Sequence, residues 1–286
     1  MDTTLIPTPP FAVPSDAPIG VFDSGVGGLS ILHHIRDQLP HEHLIYFADS
    51  GHAPYGDKSE QYVVERSLRI AAYLLERGAK ALVVACNTAT VAAIKAVRAR
   101  YPKLPIVGVE PGLKPAAAAT RSGKVGVLAT ARTLAGDKFL QLRDQIGHAT
   151  QAEFLLQPCV GLVDQIELGE LHTPAIAAML ERYVAPLLEQ GADTLVLGCT
   201  HYPFVRDGIQ RVLQAHGAHD VSLIDTGEAV SRQLARLLEA AGLLRVPGAV
   251  AAAAALQGYT TANPPALAAA FSHLLALSPA VELVDV

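Results

Sequence analysis

Short runs rich in β-branched residues recur along the chain. Each stops at a small or polar residue, and most give way to helical apolar spacing. Ile19–Phe22 predicts a strand, a Gly-rich turn follows, and Leu29–Gln38 predicts a helix. Leu44–Ala48 reads as the next strand, and Glu60–Arg77 as a long helix stopped by Gly78. Ala81–Ala85 is a strand, Thr90–Tyr101 a helix, and Ile106–Val109 a strand. This strand–helix rhythm predicts a parallel sheet with helices on both faces.

The rhythm then restarts. Lys124–Leu128 reads as a strand, Thr133–Ile146 as a helix and Glu153–Leu156 as a strand. A helix from about Thr173 to Gln190 precedes another apolar run at Thr194–Leu197. Ile19–Ser24 and Val125–Thr130 are similar strands ending in polar residues. A cysteine follows 63 residues after Asp23 and 69 after Thr130. The fold expected is α/β, with two similar doubly wound parallel-sheet domains related by pseudo-symmetry. Ligands of open α/β sheets bind beyond the carboxyl ends of the strands, so the active site is expected in the cleft between the domains.

The expected boundaries are 18–110 for the first domain and 111–224 for the second. Residues 225–286 are expected to return to the first, with a helix over Ala266–Leu277 and a strand over Val281–Val286. Ala-rich Gly248–Ala255 reads as linker, and Pro-rich residues 1–17 as a flexible arm.

The two cysteine segments carry the chemistry. Ala81–Thr88 and Thr194–His201 each run strand, small residue, Cys, then amide or hydroxyl side chains. Facing turns of this kind hold thiols on opposite sides of one cleft. A thiolate takes a proton from one face of a carbon, and the opposite thiol delivers one to the other face. Asn87, Thr88 and Thr200 are placed to donate hydrogen bonds to a substrate carboxylate. Asp23 and His201 are placed to tune the thiols. The other reading is two inert buried cysteines.

Composition narrows the setting. Half the residues are hydrophobic and the net charge is −5 without a basic stripe, which argues against nucleic acid as a partner. The N-terminus lacks a basic start and an apolar core of a signal peptide. The longest apolar run, Val246–Leu256, is 11 residues, too short for a bilayer span. Three cysteines do not make a disulfide framework, so a cytoplasmic location with free thiols is expected. There are no C-x-x-C pairs, and His33, His34, His41 and His43 lie far from the cysteines in sequence; no metal site is expected. Cys159 reads as a core or near-site thiol.

The turn Asp23–Gly28 fits neither G-x-G-x-x-G nor a P-loop. A tight turn or a site for a substrate carboxylate or amine are both open, with Asp23 available to an ammonium. Asp49–Gly56 is a Pro/Gly-restricted loop that reads either as punctuation or as a binding loop.

Together these motifs resemble glutamate racemases of the aspartate/glutamate racemase superfamily. The ordered set is Gly20–Leu29, Tyr46–Asp49, Pro54–Gly56, Ala85–Ala89, Gly108–Pro111, Gly126–Thr130 and Gly198–Pro203, with Tyr259–Thr261 in the tail. The resemblance covers roughly Pro18 to Phe271. It implies cofactor-independent interconversion of L- and D-glutamate, supplying D-glutamate for peptidoglycan. It implies Cys86 and Cys199 as the two bases, assisted by Asp23 and His201. It implies substrate contacts at Asp23, Ser24, Pro54, Tyr55, Gly56, Asn87, Thr88, Thr130, Thr200 and His201. Glu167 matches the family's further glutamate, although Val160–Gln165 departs from the more apolar version. The same resemblance implies a homodimer; a restraining role on DNA gyrase is reported for some members of the family, and no residue here points to it. A hinge is expected near Gly108–Leu113, where Gly112 stands at a position usually held by a small non-glycine residue. A non-catalytic binding protein using the same cleft is the rival class.

Overall fold

The structure is a computed structural model that describes residues 14–169, 171–245 and 254–286. Most of the expected arm and linker lie outside the described residues. In chain order the elements are β1 (Ile19–Asp23), α1 (Leu29–Gln38), β2 (Leu44–Ala48), α2 (Glu60–Glu76), β3 (Ala81–Val84), α3 (Asn87–Arg100), β4 (Ile106–Gly108) and α4 (Leu113–Ala119). There follow β5 (Lys124–Ala129), α5 (Ala131–Ala135), α6 (Asp137–Thr150), β6 (Glu153–Pro158), α7 (Leu162–Glu167), α8 (Pro174–Glu189), β7 (Thr194–Leu197), α9 (Arg206–Ala215) and β8 (Ser222–Ile224). The chain ends with α10 (Gly227–Ala240), β9 (Leu256–Thr260), α11 (Pro264–Leu275) and β10 (Ala280–Leu283).

Two parallel sheets form. One has the order β10-β9-β2-β1-β3-β4 and the other β6-β5-β7-β8. The order β2-β1-β3-β4 repeats as β6-β5-β7-β8, so each cysteine strand lies beside the strand that opens its half. Buried on both faces, these strands are nearly continuous apolar runs, as parallel sheets require. The C-terminal strands join the first sheet through β9, which pairs with β2. α10 packs with α1 in one apolar cluster that includes Ile31, Ile35, Val230 and Leu234.

Three local expectations are corrected. The helix expected from Thr90 begins at Asn87, because Cys86 caps it: the Ala89 N–H points at the thiol sulfur, 3.5 Å away. The helix expected over Thr133–Ile146 is two helices, broken where Gly136 takes an extended conformation (φ −73°, ψ 130°). The last strand is Ala280–Leu283 rather than Val281–Val286.

Candidate active site

The first half contributes the ends of β1 and β3. Asp23 closes β1 and is 2 % exposed. Its Oδ1 accepts the Ser24 N–H at 2.7 Å and its Oδ2 the Gly28 N–H at 2.6 Å. The glycines matter here: a Cβ on Gly28 would lie 2.8 Å from the Asp23 Cβ. Burial pushes the Asp23 carboxyl up, while the charge of His201 and the two N–H groups pull it back. Cys86 stands in the turn between β3 and α3, its Sγ 3.5 Å from Ser24 Oγ. Burial, and then the Asp23 carboxylate, push this thiol up to about 12, against the pull of Ser24 and Ala89. Cys86 is therefore a protonated thiol at neutral pH.

The second half contributes β7 and α7. Cys199 follows β7 and is partly exposed. His201 Nδ1 lies 3.7 Å from its sulfur, and His201 Nε2 lies 3.0 Å from Glu167 Oε1 on α7. Burial opposes charge on His201, but the hydrogen bonds to Cys199 and Glu167 outweigh it and the imidazole is pushed up to about 10. The two thiols thus sit in different environments, Cys86 beside a buried carboxylate and Cys199 beside an imidazolium.

Asn87 and Thr88 open the 14-residue α3, where the helix dipole favours an anion. Thr130 caps α5 by accepting the Thr133 N–H. The Tyr55 hydroxyl points away, donating to Asp49 Oδ2 at 2.5 Å. Arg66 donates to both Asp49 oxygens, Oδ1 at 2.7 Å and Oδ2 at 3.0 Å, and Thr261 donates to Oδ1 at 2.9 Å. What Tyr55 can offer a ligand is main chain and ring.

One cleft of about 440 Å³ is lined by Asp23, Ser24, Pro54, Tyr55, Gly56, Cys86, Asn87, Thr88, Thr130, Glu167, Cys199, Thr200 and His201. Every site residue named from the sequence is therefore brought together. Sequence reasoning missed Arg132, Thr133 and Asp164, which line the same cleft. Among the described residues Arg132 is its sole arginine or lysine; extending the comparison of the halves past Thr130 would have reached it. Cys159 is buried outside the cleft lining, its thiol pushed up to about 12 by burial. Among the described residues no cluster of three or more His, Cys, Asp or Glu is arranged to hold a metal ion. Among them too, no helix is long and apolar enough to cross a membrane.

Two pseudo-symmetric parallel sheets with a thiol at the same turn of each define a class of α/β protein with a two-thiol interdomain cleft. Residues 19–234 match the Asp/Glu/Hydantoin racemase family, and the chain belongs to it. It is 54% identical over 248 residues to the glutamate racemase of Pseudomonas paraeruginosa, covering 87% of this chain and 90% of that one. It also resembles the Escherichia coli glutamate racemase solved with L-glutamate and the activator UDP-MurNAc-Ala (TM-score 0.79, 33% identity, covering 94% of this chain and 98% of that one). The Francisella tularensis glutamate racemase solved with D-glutamate is similar too (TM-score 0.78, 29% identity, 95% and 98%).

Proposed function

We propose that this protein is a glutamate racemase that needs no cofactor and uses Cys86 and Cys199 as opposed acid and base. The observation that carries the reading is the pair of thiols at equivalent turns of one cleft, each with its own ionisable neighbour, Asp23 for Cys86 and His201 for Cys199. The family membership and the glutamate complexes of its relatives support the substrate.

The Cα–H of an amino acid is a weak acid, so the site must stabilise the carbanion. In one direction the Cys199 thiolate removes the Cα proton, and the bond's electron pair moves into the substrate α-carboxylate. The Cys86 thiol then gives its proton to the opposite face of Cα, leaving Cys86 as thiolate and Cys199 as thiol. The opposite direction exchanges the roles. The His201 imidazolium is placed to stabilise charge on the Cys199 sulfur. Burial, and with it the Asp23 carboxylate, keeps the Cys86 sulfur protonated until substrate arrives. Carboxylate recognition falls to Asn87, Thr88, Thr200 and the amides at the start of α3, as preorganised donors in a water-poor cleft. Asp23, which lines the cleft, is the carboxylate available to the substrate ammonium. The D-glutamate formed would serve peptidoglycan synthesis.

The test is incubation of the reduced protein with L-glutamate in D₂O, following optical rotation and deuterium at Cα together. Loss of rotation with deuterium entering Cα, abolished in Cys86→Ala and in Cys199→Ala, is the expected result. Deuterium exchange without loss of rotation in the wild type would sink the two-face mechanism. Activity on aspartate alone would move the specificity.

A further inference from the structure

The first turns of α1 lie against the second half of the molecule. The buried Ser30 hydroxyl, 3 % exposed, donates to the Thr200 carbonyl at 2.6 Å. The same oxygen is 3.0 Å from the Gly27 carbonyl. A hydroxyl has one proton, and the shorter contact is the one across the halves. Gly27, three residues earlier, is jammed against the same turn: a Cβ there would lie 2.5 Å from His201 Nδ1 and from Thr200 Oγ1. Four residues after Ser30, His34 Nε2 lies 3.0 Å from Asp225 Oδ2. Asp225 sits where the chain leaves β8 and returns towards the first sheet, and its Oδ1 accepts the Gly227 N–H at 2.8 Å. The four-residue spacing puts Ser30 and His34 on one face of α1, and Gly27 stands in the turn that leads into it. That face therefore runs from the Cys199 turn to the return crossover.

We propose that Ser30 is a positioning residue: through the Thr200 carbonyl it fixes the Cys199–Thr200–His201 turn against the first half, and so sets how the Cys199 side of the cleft faces Cys86. The inference rests on the racemase reading for its kinetic consequence and on the contacts above for its structural one. Thr200 is flanked by the two groups that act on one face of the substrate. Its carbonyl makes this hydrogen bond across the halves, so loss of the Ser30 hydroxyl frees the turn without touching substrate. Misplacement by a fraction of an ångström is enough to slow a proton transfer between fixed groups.

The experiment compares wild type, Ser30→Ala and Ser30→Thr in the full chain. Two readouts are taken, steady-state racemisation of glutamate and backbone hydrogen exchange by mass spectrometry. In Ser30→Ala, kcat is expected to fall about 10- to 100-fold. KM should stay within about twofold, the pattern of a group that acts on the transition state and not on binding. Amides of residues 198–205 should exchange about tenfold faster, with those of α3 unchanged. Ser30→Thr keeps the hydroxyl and should recover both properties. Unchanged exchange at 198–205 together with an unchanged kcat overturns the proposal. So does a loss of activity explained by a lower folded fraction, with kcat per folded molecule intact. A wild-type chain inactive on glutamate overturns the racemase reading instead, and the exchange data then decide the positioning role alone.

Discussion

His201 Nδ1 lies 3.7 Å from the Cys199 sulfur, while its far nitrogen is tied to Glu167 at 3.0 Å. Cys86 instead has the Asp23 carboxylate as its charged neighbour. A pair of bases that look alike in sequence are thus unlike in charge.

Glu167→Gln removes one of the groups that hold the proton on His201. His201 is pushed up to about 10, so in wild type it loses charge only at strongly alkaline pH. The alkaline limb of kcat/KM should therefore move to lower pH in the variant. Glu167 is 46 % exposed, and solvent screening limits the move to about one pH unit. A pH–rate profile between neutral and alkaline pH checks this; an alkaline limb that stays put would show that His201 does not control it.

Asp23→Asn tests the other side. The carboxylate accepts two backbone N–H groups. An asparagine offers one acceptor and must turn its amide towards one of those donors. Leaving a buried donor unpaired costs about 1–3 kcal/mol. Racemisation should fall about 10²- to 10⁴-fold as the tuning of Cys86 is lost. Denaturant melts read the first quantity and steady-state rates the second. Loss of stability with full activity would assign Asp23 to folding alone.

Legibility followed periodicity. The β-branched runs marked β1 to β7 because parallel strands buried on both faces leave a strong apolar signal, whereas the partly exposed β8 and β9 were not marked. The strand–Cys–hydroxyl repeat located both thiols for the same reason. The break at Gly136 was not legible, since a glycine inside a helical pattern is often tolerated. Helix α10 has a strong apolar face, yet its segment had no repeat partner to announce it. The Ser30–Thr200 contact was invisible because it depends on how two halves dock, which no local pattern encodes.

Tyr55→Phe separates loop support from substrate contact. The hydroxyl donates to Asp49, which also holds Arg66, whose guanidinium reaches the Val286 carbonyl. Its removal leaves Asp49 with Arg66 and Thr261, so stability should fall by about 1 kcal/mol. KM for glutamate should rise at least about threefold as the 54–56 segment loosens, with a smaller change in kcat. Unchanged KM would mean that the loop holds its shape without the hydroxyl.

The His34–Asp225 pair makes stability pH-dependent. The hydrogen bond to Asp225 raises the His34 pKa, with further help from the charges of Asp225, Asp37 and Glu228 and against partial burial. A histidine raised above its unfolded value of about 6.5 gives its full stabilisation below that pH and loses it as pH climbs through the folded value. Burial raises the Asp225 carboxyl, but His34 and the Gly227 N–H outweigh it and leave it lowered. Its contribution is accordingly present above about 3.9 and fades only in stronger acid. Wild type should therefore exceed His34→Gln in melting temperature by the most between about pH 4.5 and 6.5, and the gap should close in mildly alkaline buffer. The His34 side chain is 28 % exposed, so the gap should also narrow in high salt. Melting curves of both proteins across this range decide it: a gap that is constant with pH would mean that His34 supports α1 by packing rather than by charge.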